Sequence, residues 1–171
     1  MNWIPLVGGG LLTFGLFFFL AGRFLPRHRT STRTIWIRQP PDAVFSLLVD
    51  VSRFPQWTSQ VLKVELLGPL EGREVSRQSF KGGGVATITT TESVRPSRLV
   101  RVMSDPGSPF SRSWSYAFTA VNGGCTVVLT ERVEYANPIF FVIARLCGIN
   151  RPVAPHLEEI ATQFGDIADI R

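Results

Sequence analysis

Glu131 is the residue whose position most suggests chemistry. It lies in the β-branched run from 125 to 135, where Val127, Leu129 and Val133 would share its side of a strand. A carboxylate on an apolar face is costly to desolvate unless it is paired. Two interpretations stay open: either Glu131 is a polar anchor or acid/base inside a cavity, or it lies near the cavity mouth or pairs with an arginine of a neighbouring strand.

Tyr116 is the second candidate for acid–base chemistry. In the run 111–121 it shares one predicted strand face with Trp114 and Phe118, while small residues take the other face. Plain core packing explains these three rings. The alternative, that these rings line a cavity, differs only in requiring that the core contain empty space.

Glu92 occupies a similar position with weaker support. In the threonine-rich run 85–94, period-two alternation places it on one face with Ile88, Thr90 and Val94. For the next strand, the alternation does not decide whether Leu99 or Val100 faces inward.

No motif that performs chemistry by itself occurs in the sequence. A nucleophile elbow, an H-E-x-x-H zinc motif, a P-loop and a dinucleotide fingerprint are all missing, and glycines 82–84 predict a hairpin turn. His28 and His156 have no partner at catalytic spacing and are expected to be exposed. Cys125 and Cys147 lack metal-ligand spacing. We therefore expect no metal and no cofactor, and the sequence leans away from an enzyme.

The elements that must position these residues follow one another as a strand, two short helices, six strands and a long helix. Pro41 and Asp42 stand where a helix start would place them. The predicted strands, separated by turn signals, are 34–38, 61–67, 74–80, 85–94, 99–104, 111–121 and 125–135. Since nothing alternates as in βαβ units, we predict an α+β fold with an antiparallel sheet.

The C-terminal part predicts a helix that begins near 139 and is kinked by Pro152 and Pro155. Its last part carries one apolar face about four turns long. The residues of this face are Leu157, Ile160, Ala161, Phe164, Ile167 and Ala168. The stretch 139–149 is apolar on nearly every side but too short to span a bilayer. It is either buried or placed at a membrane surface.

This order of elements resembles the START-like (SRPBCC) superfamily, in particular its polyketide cyclase/dehydrase branch, over roughly 34–168. The local patterns that carry the resemblance are PPDAVF at 40–45, DVSRFPQW at 50–57, PSRL at 96–99, WSYAF at 114–118 and GGCTVV at 123–128. The resemblance implies a helix-grip fold, in which a curved antiparallel sheet of about seven strands wraps a long C-terminal helix. It also implies an apolar cavity between sheet and helix. It does not specify a function, since the superfamily holds lipid carriers, hormone receptors, cyclases and chaperone activators.

Strand parity and the resemblance together predict the residues that line this cavity. Trp57 corresponds to a residue that packs near the cavity entrance in the family, although a tryptophan that anchors the helix-to-strand turn explains it equally well. The predicted lining is Trp57, Ile88, Trp114, Tyr116, Phe118, Val127, Leu129, Glu131, Val133, Leu157, Ile160 and Phe164.

The first 25 residues predict a transmembrane helix. The run from Trp3 to Leu25 is almost continuously apolar, and Arg23 is its first basic residue. About 20 such residues span the hydrocarbon core of a bilayer. No basic residue precedes the run, and Ala21-Gly22-Arg23 is a poor cleavage site, so an anchor is favoured over a signal peptide. Residues 26–33 then read as a basic tether and 34–171 as the START-like domain.

The charge distribution points to lipid headgroups rather than nucleic acid. The chain of 171 residues has a net charge of +5, from 18 Lys+Arg and 13 Asp+Glu. Much of the excess lies directly after the apolar run, at Arg23, Arg27, Arg29 and Arg33. The positive-inside rule places this flank, and the domain after it, in the cytoplasm.

The leading hypothesis is a membrane-anchored domain that binds a lipid or another hydrophobic small molecule in an apolar cavity. The alternatives are a cyclase/dehydrase-type enzyme, with Glu131 or Tyr116 as acid/base, and a non-catalytic adaptor for membrane proteins. The sequence does not determine the ligand, the oligomeric state or the pathway.

Overall fold

Our computed structural model describes residues 27–137, 140–141 and 153–166. The predicted transmembrane helix lies outside these ranges, and so does most of the apolar stretch 139–149. Among the helices inside them, none combines the length and apolar character needed to cross a bilayer.

The described residues form a seven-stranded antiparallel sheet in the order β1-β7-β6-β5-β4-β3-β2. Its strands are β1 (His28–Ile37), β2 (Val61–Leu66), β3 (Val75–Phe80), β4 (Val85–Val94), β5 (Arg98–Met103), β6 (Phe110–Val121) and β7 (Gly124–Tyr135). The two edge strands are joined by α1 (Pro41–Val49), a 3₁₀ turn (Val51–Arg53) and α2 (Phe54–Trp57), and α3 is Ala154–Gln163. This confirms the predicted α+β sheet that packs against a C-terminal helix.

The first strand is longer than the sequence predicts. β1 begins at His28 rather than Thr34, because residues 28–33 pair with β7 in continuous register, from His28 opposite Glu134 to Arg33 opposite Leu129. The predicted tether of 26–33 is therefore mostly strand. Its polar composition gave no strand signal, since backbone pairing with a neighbour, and not an apolar pattern, holds it in place.

A bulge in β4 changes which side chains face inward. Ile88 lies opposite Met103, but the register shifts between Thr90 and Glu92, so that Glu92 lies opposite Val100. The expected single face through Glu92 and Val94 therefore ends at the bulge, because one extra residue reverses the alternation. Glu92 is half-buried and pairs with Arg98 at 2.8 Å.

The described C-terminal helix is shorter than predicted. α3 ends at Gln163 because Gly165 takes a left-handed φ of 72°. The Asp166 N–H donates to Ala161 O and the Gly165 N–H to Thr162 O, which is the hydrogen-bond pattern of a Schellman motif. The predicted face thus loses its last turn from this helix, and Ile167 and Ala168 lie outside the described residues.

The largest core cluster lies between the sheet, α1 and α3. Phe45 of α1 packs edge-on against Phe118 of β6, with ring centroids 5.6 Å apart. The fully or almost fully buried residues of this core cluster include Ile35, Ile37, Val44, Leu48, Leu99, Cys125, Val127, Leu129, Leu157, Ile160 and Ala161. This packing holds one half of the sheet against the helices.

The close approach of β7 to β1 at Gly124 gives a stability prediction. A Cβ at this position would lie 2.2 Å from the backbone oxygen of Ile37. We expect Gly124→Ala to lower the free energy of unfolding by ~1–3 kcal/mol, because backbone must shift to accept it. Gly84→Ala is the matched control, since nothing lies within 4 Å of its added Cβ. Denaturant unfolding of both variants measures the difference, and equal stabilities would contradict the prediction.

Candidate ligand cavity

A cavity of about 330 Å³ lies between the sheet and the N-terminal part of α3. Its apolar wall consists of Phe54, Val61, Phe80, Ile88, Trp114, Leu129, Val153 and Pro155. Its polar wall consists of Thr58, Gln60, Gln78, Arg101, Arg112, Tyr116, Glu131, His156 and Glu159. The cavity is thus considerably more polar than the sequence predicts.

Tyr116 and His156 form a hydrogen-bonded pair in this wall, with Tyr116 Oη 3.0 Å from His156 Nε2. Burial raises the pKa of Tyr116 to about 12, although the nearby Arg101 opposes the shift. The hydroxyl therefore remains protonated at neutral pH. His156, which was expected to be exposed, has a side chain only 28% exposed and stacks on Trp57 with ring centroids 5.8 Å apart.

Glu159 continues this pair toward the surface. Its Oε2 lies 3.9 Å from His156 Nδ1, and its Oε1 accepts hydrogen bonds from the Ser59 N–H at 2.9 Å and from the Ser59 hydroxyl. Partial burial alone would raise the pKa of Glu159, but the hydrogen bonds from His156 and Ser59 outweigh it and the pKa is lowered. The carboxylate therefore stays ionised at neutral pH and lies where it can orient the imidazole.

Arg101 is a buried cation at the back of the cavity, with a side chain 4% exposed. Its Nη2 donates to Leu48 O at 2.7 Å, at the C-terminal end of α1, and its guanidinium lies 5.2 Å from the Phe54 ring centroid. Burial lowers the pKa of Arg101. Its Nη1 is buried and has no hydrogen-bond partner among the described residues. A second cavity of about 320 Å³ lies beside Arg101 and shares this residue with the first.

Arg112 and Glu131 form an ion pair between the neighbouring strands β6 and β7, in which Glu131 is buried and Arg112 is half-buried. Arg112 Nη1 lies 3.5 Å from Glu131 Oε1, with side chains 21% and 6% exposed. The guanidinium also lies near the rings of Phe110 and Trp114, at 5.7 and 5.8 Å from their centroids. Its Nε is buried without a partner among the described residues. Glu131 is therefore paired with an arginine of a neighbouring strand, and it also lines the cavity.

The structure separates the predicted site residues into two groups. Ile88, Trp114, Tyr116, Leu129 and Glu131 line the cavity, and Trp57 stacks on its wall residue His156. The others lie in packed core: Phe118, Val127, Leu157, Ile160 and Phe164 with the largest cluster, and Val133 with Tyr135. These residues do not line the cavity, because other side chains of the core pack directly on them. Alternation along a single strand does not reveal such contacts.

Sequence reasoning missed Arg101, Arg112, Gln78 and His156 as wall residues. Gln78 is almost fully buried, and its amide donates to Ser76 Oγ at 3.2 Å. Its strand, VSRQSF, is too polar to indicate a buried face. Arg112 could have been found from the alternation of side chains along β6, because it falls on the same face as Trp114 and Tyr116. Among the described residues, no group of three or more His, Cys, Asp or Glu side chains could hold a metal ion.

A family described as "Polyketide cyclase / dehydrase and lipid transport" matches residues 28–156, which is most of the chain. The chain belongs to this family. Membership confirms the resemblance to the START-like superfamily and supports a role in binding or cyclising a hydrophobic ligand. The match begins at His28, the first residue of β1. A search of the curated proteins found no match.

Solved structures of similar fold agree with this assignment. The Zhui aromatase/cyclase from Streptomyces sp. R1128 superposes with a TM-score of 0.60 at 16% identity, covering 81% of this chain and 94% of that one. A START superfamily protein from Mycobacterium smegmatis gives 0.61 at 12% identity, covering 80% and 97%. The di-domain ARO/CYC protein BexL gives 0.57 at 20% identity, and the match spans 80% of this chain but only 45% of BexL. At these identities the comparisons show the fold alone.

The raised pKa of Tyr116 predicts a loss of stability at high pH. Between its ordinary value of 10.0 and about 12, the folded state keeps a proton that the unfolded state releases. The free energy of unfolding should therefore fall by up to about 3 kcal/mol across this window. Denaturant unfolding at several pH values measures it, with Tyr116→Phe as the comparison that removes this contribution while leaving the other titrating groups. The same slope in both proteins would contradict the prediction.

Proposed function

We propose that this protein is a membrane-anchored binding protein for a hydrophobic small molecule or lipid that carries at least one hydrogen-bond acceptor. The observation that carries the proposal is the cavity of about 330 Å³, whose size lies in the range of small-molecule sites. Family membership supports the same class of ligand.

The wall of the cavity suggests the chemistry of the ligand. Its apolar side chains would contact a hydrocarbon or aromatic body. Arg101 Nη1 and Arg112 Nε are buried donors without partners among the described residues, a costly arrangement in a protein interior. Both nitrogens are enclosed by protein atoms, but Arg101 and Arg112 line the cavity, and an acceptor oxygen of a ketone, quinone or acid would suit the donor groups of a guanidinium there. The neutral Tyr116 hydroxyl supplies a further donor or acceptor at this wall.

The membrane part of the proposal rests on the sequence. The apolar run 3–25 has the length of a bilayer span, and its arginine flank orients the START-like domain toward the cytoplasm. An anchor would raise the concentration of the domain near ligands that dissolve in the bilayer.

Filling the cavity tests the binding function. Ile88 lines the cavity and is almost fully buried, so Ile88→Trp should occupy ligand space and lower ligand occupancy by roughly tenfold or more. The measurement is mass spectrometry of small molecules that co-purify with the protein. Leu70→Trp, at an exposed position outside the cavity, is the matched control and should retain the ligand. Equal occupancy in both variants, or no bound molecule in the wild-type protein, would overturn the proposal.

A second candidate function is a cyclase/dehydrase-type enzyme, and the arrangement of Tyr116, His156 and Glu159 favours it specifically. Tyr116 Oη and His156 Nε2 are within hydrogen-bond distance in the cavity wall, and Glu159 is placed to stabilise an imidazolium. In a dehydration, His156 would remove the proton from the carbon between a ligand carbonyl and a β-hydroxyl-bearing carbon, and Tyr116 would donate a hydrogen bond to the enolate oxyanion. The enolate would then re-form the carbonyl and break the C–O bond to the β-hydroxyl group, which takes the proton from the His156 imidazolium and leaves as water. Glu131 is a weaker candidate because Arg112 already engages it.

Turnover distinguishes this enzyme from a binding protein. A synthetic β-hydroxy ketone with an aromatic body should lose one water in the presence of the wild-type protein, and mass spectrometry measures the product. We expect Tyr116→Phe and His156→Asn each to slow the loss of water by roughly 10²–10⁴-fold. Tyr135→Phe, which changes the other tyrosine and lies outside the cavity, should leave the rate unchanged. If the wild-type protein binds the ketone but leaves it intact, binding stands and this enzyme activity is excluded.

A further inference from the structure

The link between the predicted anchor and the sheet is very short. The apolar run ends at Leu25 and β1 begins at His28, so only Pro26 and Arg27 lie between them. A fully extended chain covers at most about 3.5 Å per residue, which limits the distance from Leu25 to His28 to about 10 Å. If the run spans a bilayer, the start of β1 must therefore lie close to the membrane surface.

The register shows which other residues share this end of the sheet. His28 lies opposite Glu134 of β7, and Tyr135 lies opposite Phe110 of β6. The connection 104–109 before β6 and the turn 81–84 before β4 lie at the same end, because all strands are antiparallel. We call this the proximal end. The turns 95–97 and 122–123, together with the β2–β3 connection 67–74, lie at the distal end.

A cluster of aromatic rings occupies the proximal end. Phe110 and Phe140 stack with ring centroids 6.2 Å apart, and Tyr135 and Phe141 meet edge-on at 5.4 Å. The three phenylalanines are only partly buried. Partly exposed rings beside basic residues are typical of protein surfaces that lie at the boundary of headgroups and acyl chains.

The charges at the proximal end suit an anionic surface. Arg27, His28 and Lys81 are exposed there. The nearby acidic groups are already engaged, since Glu131 pairs with Arg112 and Glu134 pairs with Arg132 at 2.9 Å. Asp105 accepts a hydrogen bond from the Thr87 N–H at 3.0 Å. Arg27 and Lys81 thus place positive charge at the surface of this end, which attracts anionic lipid.

The cavity lies in the half of the sheet nearest this end. Its strand residues come from the first half of β6, the second half of β7, the start of β4 and the end of β3. Arg112 connects the two regions, because it lines the cavity and its guanidinium lies 5.7 Å from the Phe110 ring centroid. The aromatic cluster is therefore adjacent to one wall of the cavity.

We infer that the proximal end, formed by Phe110, Phe140, Phe141 and the basic residues beside them, docks on an anionic bilayer surface, so that the cavity is loaded from the membrane side. This inference rests on the proposed membrane anchoring. It adds a fixed orientation of the domain, which the short link between Leu25 and His28 imposes. Exposed apolar residues alone do not decide the orientation, since Leu66 and Leu70 at the distal end are also exposed.

The test measures contact with lipid at both ends of the sheet in the full chain. Phe140→Trp replaces one ring with another at the proximal end, whereas Leu70→Trp places the same fluorophore at a distal position that is 66% exposed. Each variant is reconstituted in vesicles of phosphatidylcholine and phosphatidylglycerol, with and without brominated acyl chains. The quenching of wild-type fluorescence is subtracted, because the chain has four tryptophans of its own. We expect several-fold stronger quenching of the tryptophan introduced by Phe140→Trp.

The outcomes separate this inference from the function on which it rests. If alkaline carbonate extracts the wild-type chain from the vesicles, both the anchoring and the docking surface fail. If the chain stays in the membrane and the two introduced tryptophans are quenched equally, or neither is quenched, the docking surface alone is overturned. Phe110→Trp provides a second proximal position, should Phe140→Trp disturb the cluster. Ligand occupancy of the cavity is measured separately and survives either failure.

Discussion

The burial of the Arg101 guanidinium is the constraint around which the two cavities of the domain are arranged. A charge in this position is costly unless its donors are satisfied, and the carbonyl of Leu48 at the end of α1 satisfies one of them. A second bond runs to the Thr90 hydroxyl at 3.3 Å, and the Phe54 ring packs on the guanidinium. Arg101 thus ties α1 and α2 to the middle of the sheet. Both cavities are lined by Arg101, so its side chain lies between them.

The polar groups of the cavity share this logic. Arg112 with Glu131, Tyr116 with His156, and Gln78 with Ser76 are each paired, which limits the cost of removing them from water. The pairing is incomplete at Arg101 Nη1 and Arg112 Nε. A wall of this kind differs from that of a purely apolar pocket, since it is complementary to a molecule with both an apolar body and a hydrogen-bond acceptor. It also contains the hydrogen-bonded pair of Tyr116 and His156.

The length of β1 links the cavity to the chain before it. Because residues 28–33 pair with β7, they cannot act as a flexible tether between the apolar run and the sheet. A domain on a long tether samples many orientations, whereas one that starts two residues after an apolar run has few available. The distinction depends on six residues whose composition is polar and whose structure is set by their neighbour strand.

The amino-acid sequence by itself determined the architecture: strand bounds from 61 to 135 agree with the structure to within one or two residues. Alternation, turn residues and the proline-led start of α1 are local signals, and each strand carries them. It also indicated Tyr116 and Glu131 as polar groups on inward faces. Only the tertiary structure decided that His156 reaches Tyr116, that Arg101 is buried, and that Phe118, Val127 and Leu157 are packed core rather than cavity wall. The physical reason is that these outcomes depend on contacts between distant segments, on one bulge in β4 and on the pairing of β1, none of which leaves a pattern within a single element.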